Sequence, residues 1–201
     1  MKRDEAIAWA AAGAHVLSSA ASLLFMRGGL PPFADDERLA YIVSHRDAWA
    51  FGWMTWHLSV LTLIALFAVL ALRLGDSLSW SALAIASIGA AIDLPTQIRY
   101  YVTVPKVHAD AFALLDRELE AMTGYAANGL YTLAFLLVVI AGWRVLPALS
   151  RTLAAPIGVT GFALSIGALQ HNALVEIVSS AILFPLFIVW TIAIARWLAS
   201  E

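Results

Sequence analysis

Residues 78–98 read LSWSALAIASIGAAIDLPTQI. At about 1.5 Å of rise per residue, a helix of this length reaches across a hydrocarbon core of roughly 30 Å. No charge appears in it until Asp93, and Gln97 follows one helical turn later. An apolar run long enough to cross a bilayer, interrupted by a carboxylate near one end, sets the reading of the chain. Its solvent is lipid, and polar groups at membrane depth are expected to face a cavity or a partner.

The composition agrees. Of 201 residues, 62% are hydrophobic and only 13% charged, and the mean hydropathy is +0.83. Six stretches are long enough to cross: near 6–26, 49–72, 78–98, 124–143, 151–170 and 173–198. The fold class that follows is all-α, a single polytopic membrane bundle of six transmembrane helices. The boundary between the last two rests on Gln170-His171-Asn172, with Pro185 reading as a kink in the sixth span. If that turn fails, the count drops to five with one long helix. Met1-Lys2-Arg3 before an apolar run has the look of a signal peptide. The run continues to Met26 with no clear small-residue cleavage site, so it reads as a retained first span.

The connections 27–48 and 99–123 are longer than the others and hold Asp35, Asp36, Glu37, Asp47, Asp110, Asp116, Glu118 and Glu120. Within them, Leu39, Ile42 and Val43, and then Val107, Phe112, Leu115 and Leu119, recur at helical spacing. Both read as amphipathic helices on the interface, a lid over one mouth of the bundle. Trp49, Trp53, Trp56, Tyr100 and Tyr101 are expected to form an aromatic belt on that side. Lys and Arg divide evenly between the two sides. The short connections carrying Arg73 and Arg144 favour cytoplasmic termini in the cell membrane.

Several chemistries are excluded. Without cysteine there is no disulfide, thiolate metal site or Cys nucleophile. A net charge of -2, with no basic aromatic patch, argues against nucleic acid as a partner. HExxH, GxSxG and phosphate-loop patterns are absent from the sequence, and no lysine lies within a span to form a Schiff base. The apolar half of residues 60–72 and 133–143 offers only Thr62 as a polar group, which speaks against a continuous ion path.

What remains is a ladder of polar residues descending from the lid side. His171 stands at the interface, with Asp93, His57 and His15 successively deeper. Four hypotheses fit it. The leading one is a half-membrane pocket that binds, and by acid–base catalysis converts, a small amphiphile or lipid from the extracytoplasmic leaflet. His57 and Asp93 are its expected acid–base pair. Gln97, Tyr125, Asn128, His171, Glu176 and Trp53 are expected to contact substrate. The second is a b-type haem or metal protein with His15 and His57 as ligands. The third is an ion-coupled carrier, and the fourth a structural subunit in which the polar groups only fasten helices. The stripe His15, Ser18, Ser19 and Ser22 lines one face of the first span and favours close helix packing. The Ala-rich face Ala8–Ala12 equally suits a homo-oligomer.

Overall fold

The computed structural model describes residues 2–200, and among them it is helical with no strand. Nine α-helices follow in order: α1 (Arg3–Ala21), α2 (Asp35–Ser44), α3 (Arg46–Leu74), α4 (Ser77–Val102), α5 (Ala109–Glu120), α6 (Asn128–Ala141), α7 (Ala148–Thr152), α8 (Ala154–Gln170) and α9 (Ala173–Ser200). Six helical runs are long and apolar enough to cross a membrane: Arg3–Gly29, Arg46–Leu74, Ser77–Lys106, Ala109–Ala141, Ala148–Gln170 and Ala173–Ser200. The turn at Gln170-His171-Asn172 forms and divides the last two.

These runs close into a ring. α1 packs on α3, α3 on α4, α4 on α6, α6 on α8, α8 on α9, and α9 returns to α1. The seams around α1 are built from small residues, although large apolar side chains such as Leu66, Phe67 and Trp190 fill the core elsewhere. α1 buries Ala8, Ala11, Ala12, Ala14, Ser18 and Ala21 and exposes Val16 and Leu17, and the turn that follows it exposes Leu23 and Leu24. Lipid supplies no hydrophobic drive between helices, so small residues that let backbones approach form the contacts. Ser18 and Ser59 hydrogen-bond across the α1–α3 seam at 2.7 Å. At the α6–α8 seam, Gly161 faces the Thr132 hydroxyl so closely that a methyl group there would overlap it. Short connections hold the ring in order. Gly75 ends α3 in the left-handed region (φ 71°), and Asp76 caps α4 by accepting from the amides of Leu78 and Ser79. Asp4 and Arg73 pair at 2.7 Å, tying the start of α1 to the end of α3.

The opposite end carries the lid. α2 and α5 cover it, and α5 runs without a break through a π-helical stretch, Ala121–Ala127, into α6. The lid has its own apolar core of Met26, Leu39, Ile42, Trp49, Trp53, Tyr100, Val104, Phe112 and Leu119. This corrects the expected aromatic belt. Trp49, Trp53 and Tyr100 are buried beneath α2 and α5 instead of lying at the lipid headgroups. Trp49 Nε1 donates to the Tyr100 carbonyl at 2.9 Å, and Trp53 stacks on the Tyr100 ring at 4.2 Å. Gly28 and Gly29 leave room for Tyr41 and Trp49 to lie against the chain.

One ion pair joins the two lid helices. Arg38 on α2 reaches Asp116 on α5 at 2.8 Å, donates to the Gly29 carbonyl at 3.1 Å, and lies over the Phe112 ring. Both side chains are about nine-tenths buried. Burial works against the charge of Arg38. The charge and hydrogen bond of Asp116, with Tyr100 and Asp35 adding to them, outweigh it and hold the guanidinium pKa above its ordinary value. Breaking such a pair leaves a lone buried charge, whereas replacing both ends with apolar groups does not. Arg38→Ala or Asp116→Ala is therefore expected to destabilise by about 3–5 kcal/mol. The double change Arg38→Met with Asp116→Leu should recover most of that loss. Thermal unfolding of the purified protein in detergent measures both, and an unchanged melt in the single variants would show that the pair does not clamp the lid.

Candidate functional site

A partly open cavity of about 230 Å3 occupies the axis of the ring, beneath the lid. All six spanning runs line it. α1 supplies His15; α3 supplies Trp53, Trp56, Ser59, Val60, Leu63 and Phe67; α4 supplies Asp93 and Gln97. The π-helical stretch supplies Thr123 and Gly124, and α6 supplies Asn128, Tyr131, Thr132 and Phe135. α8 adds Ile157, Leu164 and Ala168, and α9 adds Glu176, Leu183, Phe184 and Phe187. On α6 and α9 the polar lining positions fall toward the lid and the apolar ones deeper, and the two that α4 supplies are polar and close to the lid. Asp93, Gln97, Thr123, Asn128 and Glu176 lie near the lid ends of their helices, while Leu63, Phe67, Phe135, Ile157 and Phe187 lie farther in.

Asp93 is the centre of the polar end. It is 4% exposed and accepts hydrogen bonds from the Thr123 and Tyr131 hydroxyls, the latter at 3.2 Å, with the Gln97 side chain beside it. Gly89 makes the Tyr131 contact possible, because a β-carbon there would collide with the Tyr131 ring. Thr123 arrives through the π-helical stretch. Wide turns of this kind re-aim side chains and concentrate at functional sites. Arg99, on the same helix, does not reach Asp93 and pairs with Glu118 at 2.7 Å.

The other polar groups divide by what they have left to offer. Asn128 spends its NH2 group on the Gly161 carbonyl and the Ser165 hydroxyl, both at 3.0 Å. His15 donates Nδ1–H to the Ala11 carbonyl at 2.8 Å, since a carbonyl can only accept, and packs on Phe187 with ring centroids 4.9 Å apart. Trp56 donates to Ser22. Gln97 Oε1, Glu176 Oε1 and Trp53 Nε1 are buried with no partner. Glu176 stands within reach of the Glu120 carboxyl from the end of α5, whose other neighbour is His171 Nδ1 at 2.5 Å.

Of the residues singled out from sequence, Trp53, Asp93, Gln97, Asn128, Glu176 and His15 line the cavity. Three expected with them do not. His57 follows Trp56 on α3, is rotated away from the wall, and leaves its Nδ1 buried without a partner. The structure thus does not bring His57 and Asp93 together in the cavity as an acid–base pair. Nor does it set His15 and His57 across a shared space as two axial ligands. Among the described residues no three His, Asp or Glu side chains cluster closely enough to hold a metal ion. Tyr125 is 43% exposed, because the π-helical stretch turns it outward. His171 takes the left-handed position that ends α8 (φ 51°) and pairs with Glu120 outside the cavity wall.

Thr123 and Tyr131 were not foreseen. By hydropathy Thr123 falls in the connection before a fourth span that begins at 124, and a tyrosine within an apolar run carries no signal of its own. No protein-family model, curated protein or solved structure matches this chain.

Asp93 depends on two donors that the fold had to bring from another helix. Thr123→Val and Tyr131→Phe remove one each without changing size much, and each is expected to destabilise by about 1–3 kcal/mol. The double variant should lose more than either single. Thermal unfolding tests this, and melts equal to wild type would mean that Asp93 draws its stabilisation from elsewhere.

Proposed function

We propose that this polytopic membrane protein binds a small amphiphile from the membrane, head toward the lid and tail along the ring axis. The observation that carries the reading is the polarity gradient within one cavity: polar groups around Asp93 at the lid end, aromatic and aliphatic walls beyond them. Ligand pockets combine a mostly apolar lining with a few convergent polar points, as this one does. Its volume of about 230 Å3 lies just below the usual pocket range, about 300–1,000 Å3, which suits a single chain or ring system better than a two-chain lipid. Asp93, Gln97, Glu176, Asn128 and Trp53 are the residues proposed to contact the head, and Asp93 is the one best situated for any acid–base step on it. Short basic connections at the end away from the lid favour a cytoplasmic location for that end, so the pocket would draw from the extracytoplasmic leaflet.

Native mass spectrometry of the protein released from mild detergent tests the reading. Wild type is expected to carry an added mass of a few hundred daltons (about the size of a drug-like amphiphile) that fills such a pocket. Leu164→Trp, which pushes an indole into the apolar wall, should lose it while melting as a folded protein. An added mass that persists in Leu164→Trp would place the ligand outside the cavity and sink the proposal. So would a bare polypeptide mass under conditions that preserve lipid adducts on other membrane proteins.

A further inference from the structure

The polar end of the cavity is unbalanced in a specific way. Counting donors and acceptors, the hydroxyl hydrogens of Thr123 and Tyr131 are committed to Asp93, both hydrogens of the Asn128 amide are committed to α8, and the N–H of Trp56 is committed to Ser22. The oxygens are not. Gln97 Oε1 lies in a side chain only 2% exposed and has no partner, and Glu176 Oε1 has none. The Asp93 carboxylate has lone pairs to spare after two hydrogen bonds, and His15, having given Nδ1–H to Ala11, offers Nε2 as an acceptor. Two of these four groups are carboxyls, yet no lysine or arginine lines the cavity. A buried oxygen left unpaired is costly, and buried carboxylates are paired as a rule. The pocket therefore lacks hydrogen-bond donors and positive charge, and a ligand is the component that can bring both.

We infer that the amphiphile carries a primary or secondary ammonium head, held among Asp93, Glu176 and the Gln97 oxygen, with an alkyl or aryl tail in the apolar wall. This rests on the amphiphile-pocket reading and sharpens it. An ammonium group has several N–H bonds for several separate acceptors, and its charge answers the two carboxyls. A carboxylate head would add a further acid to a wall that already holds two carboxyls and no lysine or arginine. A hydroxyl head brings one hydrogen to a set of acceptors and no charge. The indoles of Trp53 and Trp56 on the same wall add faces that attract a cation. Trp53 Nε1, the one unpartnered donor at this end among the described residues, is free for an acceptor atom next to the amine.

Decylamine, decanol and decanoate share a tail and differ only in the head. Their binding to the purified protein in detergent can be read by quenching of tryptophan fluorescence and by the shift in thermal unfolding. Decylamine is expected to bind at least about tenfold more tightly than either of the others, the ratio that a charge-assisted hydrogen bond gives. That preference should shrink about tenfold in Glu176→Gln and in Gln97→Leu. Both variants leave the Asp93–Thr123–Tyr131 contacts intact, and their own melting curves establish that they fold. Decanol or decanoate binding as tightly as decylamine would overturn the ammonium assignment while leaving the amphiphile pocket standing. A preference for decylamine that persists unchanged in both variants would overturn it too. If none of the three binds, the pocket reading falls and this inference falls with it.

Discussion

Hydrocarbon offers no hydrogen bonds, so each polar group inside this ring has to find its partner within the protein. Much of the interior follows from that. Ser18 meets Ser59, Thr132 and Thr191 turn back onto carbonyls of their own helices, and Asn128 crosses to α8. The contacts between helices require backbones close enough for short side chains to touch, which Gly89, Gly124 and Gly161 permit at the seams. Polar satisfaction and small-residue packing are thus one constraint seen from two sides. Of the buried groups that escape it among the described residues, Gln97, Glu176 and Trp53 lie together at the lid end of the cavity, while Ser19, His57, Ser150 and Trp190 lie off its wall.

The lid is part of the same machinery. α5 passes directly into the π-helical stretch that delivers Thr123 to Asp93, and the last residue of α5, Glu120, stands beside Glu176. Arg38 fixes α5 to α2, and the Trp49–Tyr100 hydrogen bond fixes the start of α3 to the end of α4 under them. A shift of α5 would therefore carry Thr123 and Glu120 with it. The covered end and the polar end of the cavity behave as one piece. The buried ion pair sits where a displacement would be felt at Asp93.

Hydropathy and length made the six-helix bundle legible, because a span of about 20 apolar residues has few other homes. The depth of Asp93 and its spacing to Gln97 made that pair legible too, since i and i+4 share a face on any helix. The failures have local causes. The depth of His57 in its span does not give its angle around the helix axis, and Trp56 and Val60 hold the inward face. Tyr125 and Asn128 share a face only if residues 121–127 are α-helical. The π-helical stretch shifts that phase, and no sequence pattern announced it. The aromatic belt failed because the two connections fold onto each other and bury Trp49 and Tyr100, which took a salt bridge between residues 78 positions apart (38 and 116). Tertiary pairing of that range leaves no periodic trace.

The apolar half of the ring is what makes the proposed reading a pocket and not a passage. From His15 downward, the wall is Leu63, Phe67, Phe135, Ile157 and Phe187, and Phe135, Phe187 and Trp190 pack ring against ring. Thr62, the polar residue available on that stretch of α3, gives its hydroxyl to carbonyls of its own helix. An ion leaving the Asp93 region in that direction would have to shed its hydration into stacked aromatics with nothing to replace it. An alkyl or aryl tail finds in the same wall the surface that it prefers to water. The two halves of the cavity thus suit a molecule with two unlike ends, held at one depth, and suit poorly one that has to cross.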